Sequence, residues 1–224
     1  MQTTVERASS SFLNFSMPAT PRWAYAIAVV PAATLYALLY AQPWVPMSNL
    51  IRDPAAVLNG RFYDGFVSNV GVLLWCVAAA ICLFRGCELW TRRGKDAACF
   101  LLSAGSLTAI LLLDDLFMAH EQILPDVFGL PEKAVIATYP LLLCAYLFVN
   151  RRPIMRADVF ILVLSLGFFA VSTLFDVLVP YHFYNTAAGL EVNRGVIIEE
   201  AFKFLGISAW TVFHVRAAWR SGLD

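Results

Sequence analysis

The sequence predicts an all-α integral membrane bundle of six transmembrane helices with both termini on the cytoplasmic side. Three observations carry this. Apolar residues make up 60% of the 224-residue chain and charged residues 14%, whereas soluble domains run at about 45–50% and about 25%. Six apolar stretches approach the roughly 20 residues that a bilayer-spanning helix needs. The basic residues between them fall unevenly, eleven on one side and four on the other, and such an excess marks the cytoplasmic side.

The elements follow in order. Residues 1–21 are polar and mixed. They lack the apolar core and small-residue cleavage site of a signal peptide and are expected to form a cytoplasmic tail. Span one runs from about Trp23 to Gln42, with Pro31 inside it; a membrane helix tolerates such a proline because neighbouring groups satisfy the freed carbonyl. Residues 43–65 form the longest connection, expected to hold a short helix on the outer surface. Span two runs from about Phe66 to Phe84, span three from Ala97 to Leu124, span four from Lys133 to Phe148, span five from Asp158 to Val179 and span six from Gly195 to Ala218. The expected organisation is a tail at 1–21, one six-helix domain at 22–219 and a C-terminal tail at 220–224.

Arg7, Arg22, Arg85, Arg92, Arg93, Lys95, Arg151, Arg152, Arg156, Arg216 and Arg220 define the cytoplasmic side. Arg52, Arg61, Lys133 and Arg194 lie on the other. Trp23, Trp90 and Trp219 fall at the inner boundary and Trp44 at the outer one, as an aromatic belt requires. A formal net charge of zero gives no support for nucleic-acid binding.

The functional signal is acidic side chains inside these helices. Asp114 and Asp115 follow the apolar run Ala109–Leu113, and His120 and Glu121 come one to two turns later. Asp176 ends the apolar run of span five, and Glu199, Glu200 and Lys203 interrupt span six. A charge at the bilayer centre costs roughly 2.5–3.5 kcal/mol on insertion scales, so such residues face a bundle interior and carry a task. With the orientation above, all three groups sit at one depth on the outer side, which predicts one shared pocket.

Within that pocket Asp114 and Glu121, seven apart, share a face of a continuous helix. Lys203 can pair with Glu199 at i,i+4 or with Glu200 at i,i+3. One lysine does not neutralise six carboxylates, so they are protonated or hold a cation. The expected ligand set for a divalent metal is Asp114, Asp115, His120, Glu121, Asp176, Glu199 and Glu200, with Lys203, Asn69 and His182 in support. One imidazole among oxygens favours Zn, Mn or Fe over Ca or Mg. Known motifs do not fit. Leu124 stands where HExxH needs its second histidine, and the Glu-x-x-His of di-iron bundles does not occur. His182 also suits an aromatic belt, and His214 reads as an inner-boundary residue. The five cysteines form no CxxC and read as small buried hydrophobes.

Asp114–Asp115 followed by His120–Glu121, with Asp176 and then Glu199–Glu200–x–x–Lys203–x–x–Gly206, resembles a group of bacterial multipass membrane proteins. That group has Asp-Glu then His-Glu in the third helix, an acid in the fifth, and Glu-Glu then Gly in the last. Lys203 stands where the group often has an acid, and Asp115 where it has a glutamate. The resemblance covers spans three to six. It implies a bacterial inner-membrane location and no particular activity. Alkaline-ceramidase-like hydrolases are similar only in placing acids and histidines inside helices, and this chain has too few histidines for their three-histidine zinc site.

The leading functional expectation is an outward-facing carboxylate/His site that binds a divalent metal and acts on a lipid-borne substrate. One alternative is a proton- or cation-coupled transporter, against which stand the absence of a visible repeat and the apolar inner halves of spans three and six. The other is an accessory subunit of a membrane complex. Expected partners are membrane lipids, with a homo-oligomer or a membrane complex as the protein partner.

Overall fold

The structure is a computed structural model that describes residues 22–52, 54–61, 63–92, 94–178, 183–186, 189–192 and 194–221. The expected N-terminal tail, residues 222–224 and His182 lie outside the described residues. The chain divides into two compact units, Met1–Asp64 and Gly65–Asp224.

In the first unit, α1 (Arg22–Ala41) contains Pro31, and two short helices follow, α2 (Met47–Ile51) and α3 (Pro54–Val57). They stand where a single short helix was expected. The Gln42 side chain shapes the turn after α1. Its amide donates to the Val45 carbonyl at 2.7 Å, and its oxygen accepts the N–H groups of Trp44 and Val45.

The second unit contains α4 (Phe66–Thr91), α5 (Lys95–Phe117), a wide π-type segment (Ala119–Val127), α6 (Glu132–Val149), α7 (Arg151–Arg156), α8 (Val159–Leu178) and α9 (Arg194–Arg220). Between α8 and α9, β1 (Phe183–Thr186) pairs antiparallel with β2 (Gly189–Val192), Phe183 opposite Val192.

Helices α4, α5 and α8 are long and apolar enough to cross a membrane. Val29–Ala41 and Ala134–Val149 are shorter apolar stretches. Helix α9 has 27 residues but carries Arg194, Glu199, Glu200, Lys203, Arg216 and Arg220. The burial of α8 is the reverse of a soluble helix. Its buried residues are Leu162, Ser165 and Ser172, while Phe160, Val163, Leu174 and Val177 are exposed. Exposed apolar surface on this scale needs a lipid environment or a covering partner.

Lipid tails are as apolar as leucine, so helices in a bilayer associate by close packing at small residues and by hydrogen bonds. Both devices occur. A Cβ on Gly86 would stand 2.8 Å from Leu102, and one on Gly105 would stand 2.7 Å from Leu83. These reciprocal contacts draw α4 and α5 together antiparallel, beside buried Ala78, Ala79, Ala98 and Ala104. Between α8 and α9, Ser165 Oγ donates to the Gly206 carbonyl at 2.8 Å. The Phe169 ring lies on Gly206, where a Cβ would come within 2.7 Å of it.

An aromatic group fills the centre. Trp75 stacks on Phe169 at 5.9 Å between centroids and meets Trp210 edge-on at 6.1 Å. Around it runs a set of buried polar bonds. Trp210 Nε1 donates to Thr108 Oγ1 at 2.9 Å, and Thr108 bonds the Ala104 carbonyl. The Tyr146 hydroxyl and His214 Nε2 are 2.9 Å apart. Asn150 Nδ2 donates to Ser103 Oγ and to the Tyr146 carbonyl. This corrects two expectations. The halves of α5 and α9 expected to be apolar carry Ser103, Thr108, Trp210 and His214 in these bonds, and His214 is not a boundary residue but fully buried. Its Nδ1 faces the Trp210 carbonyl at 2.9 Å, an acceptor only, so Nδ1 carries the proton and Nε2 accepts from Tyr146. Apolar periodicity marks which face is buried but not which polar partners wait there. The cysteine expectation also fails in part: Cys82 is buried, but Cys76, Cys87, Cys99 and Cys144 are exposed.

Candidate functional site

The site begins with a break in the helix. Span three is not continuous to Leu124. Helix α5 ends at Phe117, and Met118 takes a left-handed conformation with φ 50°. Such a conformation costs roughly 1–2 kcal/mol for a residue with a side chain. Asp114 supplies what offsets it. Its backbone carbonyl accepts the Met118 N–H, and its carboxylate accepts the His120 backbone N–H at 2.9 Å. The chain then continues as the π-type segment, which includes Pro125. Asp114 and Glu121 therefore do not share a helical face, because the i,i+7 argument assumed an unbroken helix. Instead the break folds His120 back onto Asp114.

His120 Nδ1 lies 2.7 Å from Asp114 Oδ2. An ionised carboxylate only accepts, so Nδ1 carries the proton, and Nε2 is the nitrogen left for chemistry. Glu121 Oε1 is 3.5 Å from Nε2. From α6, the Tyr139 ring meets the imidazole edge-on at 6.0 Å. Asp114 is buried, whereas His120 is half-buried and Glu121 exposed.

Asp115, one residue on, turns to α9. Lys203 Nζ lies 2.7 Å from its Oδ1. Lys203 therefore engages an aspartate of α5 as its hydrogen-bonding partner. Glu200 lines the same narrow crevice, together with Ser68 and Gly71 of α4. Lys203 also lies within electrostatic range of Glu200, Glu121 and His120. The structure thus gathers Asp114, Asp115, His120, Glu121, Glu200 and Lys203. Glu199, buried on α9, and Asp176, half-buried near the end of α8, each make interactions of their own. Asn69 is exposed, and its neighbour Ser68 takes the place in the crevice. Among the described residues, no three His, Cys, Asp or Glu side chains group as a metal ion would need.

An apolar cavity of about 650 Å³ opens between the helices, with Tyr139 in its wall. Leu107 and Leu111 of α5, Tyr139 and Leu143 of α6, and Leu166 and Thr173 of α8 help to line it. Trp75 and Trp210 line it from α4 and α9. Tyr139 is common to the cavity wall and the Asp114–His120 pair. Neither Tyr139 nor Ser68 stands out in the sequence. The available signal for Tyr139 was its place before Pro140 in the outer half of span four, a weak one.

Residues 24–217 match a domain of unknown function, DUF8692. The chain belongs to this family. Every residue of the DUF8692 site named above falls within the matched stretch. No curated protein and no solved structure matches the chain.

Proposed function

We propose that this DUF8692 protein is a bacterial inner-membrane protein of six spans with both termini cytoplasmic, whose outward-facing carboxylate/His site acts on a lipid-borne substrate. The carrying observation is Tyr139, which lines the apolar cavity and whose ring meets the His120 imidazole edge-on. A lipid tail in the cavity brings its polar head to His120. The carboxylate holds the proton on Nδ1, so Nε2 takes a proton from a headgroup hydroxyl and can return it, the division of labour of an Asp–His pair in general acid–base catalysis. Asp115 and Lys203 neutralise each other nearby. The six-span reading rests on the basic asymmetry together with the three long apolar helices.

A divalent metal is the second reading, and one observation favours it. His120 Nε2 and a Glu121 oxygen stand side by side while Asp114 holds Nδ1, as outer carboxylates do for metal-bound imidazoles. Native mass spectrometry and elemental analysis of the purified protein separate the two. The lipid reading expects a co-purifying lipid that is retained in His120→Gln and removed by Ala170→Trp, since Ala170 of α8 also lines the cavity. A stoichiometric metal lost in both His120→Gln and Glu121→Gln establishes the second reading. Purified protein with neither lipid nor metal overturns both.

A further inference from the structure

At the opposite end of the bundle from His120, where α5 begins and α9 ends, a second cavity of about 510 Å³ is lined by Arg152, Arg156, Arg220, Asp96, Phe100 and Val149 among others. The basic residues at this end are mostly committed. Arg85 and Arg92 pair with Glu88. Arg216 and Arg220 share Asp158, at 2.6 and 2.8 Å. Arg151 donates to the Phe148 carbonyl and sits 4.9 Å over the Phe148 ring. Arg152 and Arg156, one turn apart on α7, have no ion pair or hydrogen bond among the described residues, and both are exposed.

We propose that this cavity holds the headgroup of an anionic phospholipid. Its charge is the first ground. Two uncommitted guanidiniums and the half-committed Arg220 outweigh the one carboxylate, Asp96, leaving a surplus that matches a net negative headgroup, not a zwitterion. Its flank is the second. Val149, in the cavity wall, is 74% exposed, and Phe148 beside it is 70% exposed. An amphiphile with its phosphate on Arg152 and Arg156 lays its chains along this apolar edge, whereas a free phosphate leaves the edge uncovered. Guanidinium forks bind phosphate oxygens two at a time, and basic pockets between helices on the cytoplasmic side recognise anionic headgroups. This inference is independent of the Asp114–His120 site and stands if that reading fails.

The test is native mass spectrometry of the full chain in detergent with added phosphatidylglycerol, phosphatidylethanolamine or phosphatidylcholine. The expected result is a preference of about tenfold for phosphatidylglycerol over both zwitterions, the size that one or two surplus cations give near an anionic headgroup. The double variant Arg152→Gln/Arg156→Gln loses that preference, and Arg151→Gln on the same helix keeps it. Equal binding of all three lipids, or a preference unchanged in the double variant, overturns the proposal. Inorganic phosphate that binds as tightly as phosphatidylglycerol also overturns it, because the lipid's chains along the apolar edge then add nothing.

Discussion

Asp114 and Asp115 are consecutive in the chain but hold different partners, His120 and Lys203, each at 2.7 Å. Successive residues of a helix point about 100° apart, so one dipeptide on α5 serves two sides. Asp114 faces His120. Asp115 faces α9. The first pair fixes the orientation of the imidazole, and the second removes a charge that would otherwise sit uncompensated beside it.

The Asp115–Lys203 pair is partly accessible, with side-chain exposures of 12% and 37%. Its loss falls between the ~1 kcal/mol of a surface pair and the ~3 kcal/mol of breaking a buried one. Lys203→Met is expected to destabilise by about 2 kcal/mol, because Asp115 is left without its cation. Adding Asp115→Leu to Lys203→Met is expected to restore part of that loss. Thermal unfolding of the two single variants and the double variant in one detergent checks this coupling.

Gly206 has no room for a side chain. Leucine at this position forces the Phe169 ring away and is expected to cost about 1–3 kcal/mol, the range for overpacking a core. Phe169→Leu should relieve most of it. A Gly206→Leu chain as stable as wild type would show that α8 and α9 are further apart than described.

Tyr146→Phe leaves His214 Nε2 buried without its donor. The expected loss is about 1 kcal/mol, the net scale of one intramolecular hydrogen bond, without effect on lipid or metal content. Unfolding together with native mass spectrometry separates this structural role from a functional one.

Asp158, just ahead of α8, is held below the usual carboxylate range by its hydrogen bond to Arg216 and then by Arg220. A depressed folded pKa means stability that is present above the unfolded value, about 3.9, and is lost as pH falls through the folded value. The stability difference between wild type and Asp158→Asn is therefore expected to be constant near neutral pH and to shrink below about pH 4. Melting curves across pH check this, and a difference that grows on acidification contradicts it.

The long elements were legible in the sequence because apolar runs of this length have few other homes. Helices α1, α4, α6, α8 and α9 begin or end within a few residues of the expected spans, save that α4 continues through Cys87 to Thr91. The break at Met118 was not legible. Methionine carries no breaker signal, and the cause is a tertiary bond set, the Asp114 carboxylate with His120. Asp114, Asp115, His120, Glu121, Glu200 and Lys203 come together while Asp176 and Glu199 make contacts of their own, where one pocket for all of them was expected. Tyr139 and the cavity were not, since a cavity is a property of packing between helices. His214 was misread because position along a helix says nothing of which neighbour covers it.

Topology is checked by labelling single engineered cysteines in intact cells, on a background lacking the five native ones. A cysteine next to Arg92 is expected to stay unlabelled from outside, and one near Arg61 to be labelled. Outside labelling at Arg92 would reverse the orientation and place the His120 site on the inner face.

The lipid slot beside Tyr139 is tested most directly by photo-crosslinking with a lipid probe that carries a diazirine in its alkyl chain. Peptide mapping is expected to find adducts on Leu143, Leu166 and Thr173, inside the cavity, and Thr173→Trp is expected to remove them without unfolding the protein. Adducts confined to outward-facing residues such as Phe84 and Phe160, with none in the cavity, would contradict a lipid-borne substrate at the Asp114–His120 site.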